Sequence, residues 1–243
     1  MTDLFIDSGN SRIKLARYSS AGFGYLPALD FEDVEINERF KAALTDLEFE
    51  RIVLATVSKG RRSQQLADLL VNTGKPIVQI TTKASMGRLQ VAYPAPSQLG
   101  VDRFLAMLAV SDTAEPCILM SFGSALTVDV LDADGRHRGG VIAPSPEFQR
   151  RSMMSAFPGL FEAEGQIRPL ADNTPDALTS GIAHQTLGLI ERILGTVNAS
   201  EDWRLWVSGG AALQWLPLLP SNARHAPDIL FRGMQRYMEL DSA

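Results

Sequence analysis

Leu4-Phe5-Ile6-Asp7-Ser8-Gly9-Asn10-Ser11-Arg12-Ile13-Lys14-Leu15 sets an apolar run, a small polar bend and a second apolar run side by side. The pattern predicts a strand over residues 4–6, a bend at Asp7-Ser8-Gly9-Asn10 and a returning strand over 13–18. Halfway along the chain the same grammar recurs. An apolar run over 117–120 stops at Ser121-Phe122-Gly123-Ser124, and a strand over 126–131 follows. Asp134-Gly135 then turns it towards 139–142. Glycine takes the third place of each bend, at Gly9 and Gly123. Two similar halves, each opening on a hairpin, imply a duplicated α/β fold with one site between its lobes.

The segments between the hairpins fit that class. A helix is expected over 38–47, where Phe40, Ala43, Leu44 and Leu47 share a face, then a strand over 51–57. A helix over 61–70, a strand over 76–80 and a helix over 101–110 complete the first half. The second half continues with a helix over 147–156 and a looser stretch up to Asn173-Thr174-Pro175. A long helix over 177–197, a strand over 205–207 and helices over 211–216 and 229–238 close it. The polar segment 111–116 divides the chain into lobes 1–113 and 114–243, with no linker long enough to make them independent.

Composition excludes several functions. Of 243 residues, 45% are hydrophobic and 21% charged, an ordinary globular balance, and the net charge of −5 disfavours a nucleic-acid partner. Lys59, Arg61 and Arg62 form the densest basic cluster, which reads as a solvated helix start. Cys117 is the sole cysteine, so no intrachain disulfide or CxxC site can form, and His137, His184 and His225 never take metal-ligand spacing. The first residues lack a basic, apolar leader, and no run reaches the roughly 20 apolar residues of a membrane span. A cytoplasmic protein without membrane contact is the expectation.

Phosphoryl transfer needs donors around phosphates, a carboxylate for a metal ion and a group to accept a proton from the attacking hydroxyl. The first bend offers two of these. Gly9 lets the backbone approach a phosphate, Ser8, Asn10 and Ser11 add short polar groups, and Lys14 brings a cation. Asp7, at a strand end, suits metal-bound water. Taken alone, the bend is an ordinary hairpin turn built of turn-forming residues. The second bend repeats the small residues, with Gly123 open to a phosphate oxygen and Ser124 offering a hydroxyl. Gly100-Val101-Asp102-Arg103 opens a helix, where Asp102 is either a dipole-facing carboxylate or a base for a hydroxyl, and Arg103 can bind a carboxylate.

DSGNSRIK from Asp7, GVDR from Gly100, SFGSALTVDV from Ser121 with Gly139-Gly140, DNTPDAL, VSGG and PDILFRGM stand in one order along the chain. Together they resemble the ordered motifs of type III pantothenate kinases, from Asp7 to Met234. The resemblance implies a duplicated ribonuclease H-like (actin-like ATPase) fold, two lobes with a cleft between them. It implies phosphorylation of pantothenate to 4′-phosphopantothenate by ATP with Mg²⁺. Asp7, Ser8, Gly9, Asn10, Ser11, Arg12, Ile13, Lys14, Gly123 and Ser124 would bind ATP, with Asp7 near the metal. Asp102 would be the general base, and Tyr93, Gly100, Val101, Asp102, Arg103 and Thr174 would bind pantothenate. A homodimer is implied too, with Thr174 contributed by the partner. By their residues alone, Tyr93 reads as a surface aromatic and Thr174 as a helix N-cap before Pro175.

Two departures qualify the resemblance. The family commonly begins its second bend with an aspartate associated with a monovalent cation, K⁺ or NH₄⁺; here Ser121 stands there, and Ser124 replaces a threonine. A neutral hydroxyl cannot supply a carboxylate's charge, so K⁺ dependence is expected to be weak or absent. Ser145 replaces the glycine usual after Pro144, which leaves the path of that loop open. Two other readings stand beside the kinase: a non-catalytic nucleotide-binding regulatory accessory factor, and a kinase of another small alcohol.

Overall fold

The computed structural model describes residues 2–157, 164–197 and 202–242. Within the looser stretch expected before Asn173, residues 158–163 lie outside the described residues. The chain forms two compact units. One comprises Met1–Thr113, Gly135–His137 and Asp228–Ala243; the other comprises Ala114–Asp134 and Arg138–Pro227.

The first unit is built on a sheet of β1 (Asp3–Ser8), β2 (Arg12–Ser19), β3 (Gly22–Tyr25), β4 (Leu29–Asp30), β5 (Arg51–Thr56) and β6 (Ile77–Gln79). Its order is β3-β2-β1-β5-β6, with β4 beside β2. Helix α1 (Ile36–Leu44) precedes β5, and α2 (Arg61–Val71) lies between β5 and β6. A small ribbon, β7 (Ser85–Met86) with β8 (Leu89–Gln90), leads to α3 (Val101–Leu108). β1 runs antiparallel to β2 and parallel to β5, so every residue of this central strand is buried.

Side chains alternate across a strand, and that alternation decides where the chemistry lies. Leu4 and Ile6 join the core that β1 makes with Phe40 of α1 and Leu66, Leu69 and Leu70 of α2. Phe5 points the other way, its ring 5.4 Å from Tyr18 and 5.8 Å from Phe23. Asp7 therefore shares the Phe5 face, and Ser8 the Ile6 face.

The second unit repeats the plan. Its sheet contains β9 (Cys117–Phe122), β10 (Ala125–Leu131), β11 (His137–Pro144), β12 (Arg204–Ser208) and β13 (Ala223–His225), in the order β11-β10-β9-β12-β13. β9 is antiparallel to β10 and parallel to β12, as β1 is to β2 and β5. Helices α4 (Pro146–Ala156), α5 (Thr174–Thr196) and the short α6 (Ala212–Trp215) belong to this unit. Ala183 and Ile190 of α5 share its core with Met120 and Val128, and Trp215 stacks on Phe122 at 5.6 Å.

Each expected strand and helix is present, usually a residue or two longer or shorter at its ends. Both hairpin strands run further than their apolar runs: Asp7 and Ser8 are still paired, with Lys14 and Ile13. The first connection spans three residues and the second two. The unexpected elements, β3, β4, β7, β8 and β13, are two to four residues long, too short to show a period. Ser145 resolves the loop left open after Pro144. Its hydroxyl accepts the Phe148 N–H at 3.1 Å and caps α4.

Helix α7 (Ile229–Asp241) follows the second unit in sequence yet packs with the first. Phe231 meets Phe23 at 6.0 Å, and Tyr237 meets Phe104 of α3 edge-on at 6.4 Å. Gly233 sets the separation of α7 and α3, since a methyl group there would stand 2.1 Å from the Leu105 carbonyl oxygen. Gly233→Ala should therefore destabilise the protein by about 1–3 kcal/mol through overpacking, despite alanine's better helix propensity. A urea midpoint matching the wild type would show that α3 and α7 can part at no cost.

Candidate functional site

Asp7 occupies the penultimate place of β1, opposite Lys14 of β2 and Ala55 of β5. Its side chain is only 7% exposed, and the half-exposed Lys14 ammonium stands 3.4 Å from its carboxylate. Burial pushes the Asp7 pKa above the usual carboxylate range. Lys14 pulls it down, and the charge of Asp102 pushes it up again. Two carboxylates from distant stretches thus repel one another within one unit.

Asp102 reaches that position from the first turn of α3, packed against β5 and α7. Its Oδ1 accepts the Arg103 N–H at 2.8 Å, which holds the carboxylate over the helix start. Gly100 leaves it room, because a methyl group there would stand 2.5 Å from that same oxygen. Val101 is buried and anchors the turn.

The bend after β1 exposes Asn10, Ser11 and Arg12 and half-buries Gly9, whose N–H donates to the Arg12 carbonyl at 3.0 Å. Arg12 lies 3.8 Å from Asp30. Two of the residues expected to surround phosphates point elsewhere. The Ser8 side chain is fully buried on the α1/α2 face, its hydroxyl 3.2 Å from that of Ser58, which lies 2.8 Å from Thr56. The Ile13 side chain belongs to the core. Any role of these two at a phosphate falls to their backbone. Glycine at position 9 is not demanded by the fold: φ is not positive, and a methyl group would meet the Arg12 carbonyl at an ordinary 3.5 Å.

Arg103 is almost wholly buried, and its Nη1 donates to the Tyr93 hydroxyl at 3.1 Å. His137, absent from the expected residues, stacks on the Tyr93 ring. Nothing in its sequence spacing marks it, since it joins this unit through a three-residue segment.

In the second unit Gly123 and Ser124 form the exposed bend after β9. Ser121 holds on β9 the place that Asp7 holds on β1, opposite Thr127 and Ser208. Thr174 is exposed at the start of α5 but is not its cap. Asn173 is, accepting the Asp176 N–H at 3.0 Å.

Among the described residues no group of three or more His, Cys, Asp or Glu gathers for a metal. A pair of carboxylates does fit a small divalent ion that takes most of its ligands from phosphate and water. A cavity of about 470 Å³ lies at α1 and α2, lined by Phe40, Lys41, Phe49 and Lys75 among others, and no candidate residue lines it.

The two matching sheets define the class, an actin-like ATPase fold. MreB 5 of Spiroplasma citri, solved bound to AMPPNP, shares it with a TM-score of 0.51 at 8% identity, over 99% of this chain and 97% of that one. A conserved candidate Baf family transcriptional activator of Campylobacter jejuni matches at a TM-score of 0.64 and 20% identity, over 98% of both chains. At such identities the likeness shows the fold alone. The sequence profile of type III pantothenate kinase matches residues 3–196. The type III pantothenate kinase of Xanthomonas campestris pv. campestris (strain B100) is 35% identical over 224 residues, 91% of each chain. The chain belongs to the type III pantothenate kinase family. A kinase of this fold uses ATP.

A buried acid with a raised pKa loses its charge at a higher pH than an exposed one. Lys14 opposes that loss, so removing it moves the Asp7 pKa up again. Lys14→Met should therefore raise the pH at which the Asp7 carboxyl takes up its proton, as an NMR titration of that carboxyl would measure. A shift to lower pH, or none, would show that Lys14 does not hold the Asp7 charge.

Proposed function

We propose that this protein transfers the γ-phosphoryl group of ATP to the primary hydroxyl of pantothenate, giving 4′-phosphopantothenate, the first step of coenzyme A biosynthesis. The observation that carries this reading is the approach of Asp7 and Asp102: a buried, lysine-paired acid beside a helix-borne acid. Family membership supplies the acceptor.

The exposed bend of Asn10, Ser11 and Arg12, with Lys14 behind it and bare backbone at Gly9, receives the phosphates of ATP. Gly123 and Ser124 supply the second phosphate contact. Asp7 would hold Mg²⁺, directly or through water, and a bound ion would supply positive charge beside the phosphates. Arg103 and Tyr93 bind pantothenate beside Gly100 and Val101, with the substrate's carboxylate as the group matched to a guanidinium.

Asp102 accepts the proton of the pantothenate hydroxyl as its oxygen bonds to the γ-phosphorus. The bond to the β–γ bridging oxygen breaks, and ADP leaves with its electrons. In a loose transition state the hydroxyl deprotonates late, so a weakly basic carboxylate in the right place suffices. Ser121 leaves the second bend without a carboxylate, so dependence of turnover on K⁺ or NH₄⁺ is weak or absent.

The protein works as a homodimer in the cytoplasm and engages neither nucleic acid nor membrane. Among the described residues no helix is long and apolar enough to cross a membrane, and the net charge is −5. Ile142, Phe148, Met154 and Phe157 are exposed apolar residues of the second unit, and a second copy would cover them. Thr174 would then reach the partner's pantothenate. Sedimentation velocity should give a mass near twice the 26.5 kDa of one chain; a monomer throughout the micromolar range would exclude the dimer.

A coupled ATP assay tests the central reading. ADP formation should require pantothenate and change little when Na⁺ replaces K⁺. Asp102→Asn should lower kcat by about 10²-fold or more with the fold intact. Near-normal turnover in that variant would remove Asp102 as the base. ATP binding without turnover of pantothenate or related alcohols would favour a regulatory protein.

A further inference from the structure

We infer that His137 is a positioning residue for the acceptor, fixing the Tyr93 ring and, through it, the Arg103 guanidinium. The inference rests on the reading that Tyr93 and Arg103 bind pantothenate. His137 is 1% exposed. Its ring lies almost parallel to that of Tyr93, with centroids 6.0 Å apart and planes 13° apart. Its Nδ1 accepts the Ala92 N–H at 3.4 Å, so one residue holds both the backbone before Tyr93 and the face of its ring. The Tyr93 hydroxyl accepts from Arg103 Nη1 at 3.1 Å, and the guanidinium carbon stands 5.8 Å from the ring centroid. The tyrosine is therefore contacted by both an imidazole and a guanidinium.

Backbone contacts deliver the histidine. Gly135 has φ +89° and lies so close to the β7–β8 turn that a methyl group would stand 2.2 Å from the Arg88 carbonyl oxygen. The Gln90 N–H donates to the Gly135 carbonyl at 3.0 Å, and Arg136 bridges to Gln90. His137 follows directly. A partly exposed aromatic before Pro94 would otherwise sample several rotamers, and the arginine bonded to its hydroxyl would move with it. An ordered pair lowers the entropy lost when the acceptor binds. The Tyr93 and Ala92 contacts of His137 lie at the acceptor residues, so its effect should fall on one substrate.

The test is steady-state kinetics of wild type, His137→Ala, His137→Phe, His137→Gln, Tyr93→Ala and the double variant His137→Ala/Tyr93→Ala. His137→Ala should raise the KM for pantothenate about tenfold, with kcat and the KM for ATP within about twofold. Phenylalanine retains the stacking ring and should restore most of the loss. Glutamine keeps an acceptor for Ala92 without the ring and should not. In the double variant the two losses should not add, because both act through Tyr93. An unchanged pantothenate KM, an equal rise in both KM values, additive losses, or rescue by glutamine rather than phenylalanine would each overturn the proposal. Should His137→Ala fail to fold, the phenylalanine and glutamine variants decide alone. Wild-type protein that does not phosphorylate pantothenate overturns the functional reading, and this proposal with it, before any variant is made.

Discussion

Keeping a carboxylate charged at the end of a buried strand costs several kcal/mol unless cations or hydrogen bonds compensate. Asp7 is in that position, and a second acid, Asp102, makes it worse. Lys14 compensates only in part, because its ammonium is half-exposed and solvent weakens its pull. A fold selected for stability alone would put an apolar residue here, as it does at Phe5 two places earlier on the same face. The negative charge that Lys14 leaves only partly compensated is what a divalent cation would relieve. Much of the first unit serves to hold that charge in place. β1 is clamped between β2 and β5, and α3 is clamped between β5 and α7.

Duplication explains why the second bend looks so like the first and why it is not equivalent. β1 and β9 have the same neighbours in the same directions, so Asp7 and Ser121 occupy matching places. Their surroundings differ in charge. Lysine faces the aspartate, whereas threonine faces the serine. Architecture was copied, but the electrostatics was not.

The hairpins and the order of strands and helices were legible because each rests on a local pattern. Apolar runs between glycine-containing bends mark strands, whereas Asp7 and Asp102 read locally as a turn residue and a helix-start carboxylate, and only the resemblance singled them out. The strand-by-strand destinations of polar residues were less legible. Ser8 and Asp7 are adjacent small polar residues in the sequence, yet pairing carried one residue further sends the serine towards Ser58 and the aspartate towards Asp102. Thr174 and Asn173 are both acceptable caps, and only the geometry of the turn chose the asparagine. His137 had no local signature at all. Its meaning comes from Arg88, Ala92 and Tyr93, more than forty positions earlier in the chain.

α3 brings these strands together, because the height of Asp102 above the sheet follows from how closely backbones can pass. Leu105 lies against Gly233 of α7, and the Asp102 carboxylate lies over Gly100. Neither contact is a hydrogen bond that a neighbouring residue could remake after a shift. The first is a backbone distance that a single methyl group would abolish, whereas at Gly100 the Asp102 side chain could turn aside. A helix held by side-chain packing alone can slide by a fraction of an ångström as rotamers adjust, whereas one seated on bare backbone has no such slack. A proton acceptor must lie within about 3 Å of the hydroxyl it serves. Seating α3 against Gly233 of α7 therefore makes a packing feature a condition on where Asp102 can stand.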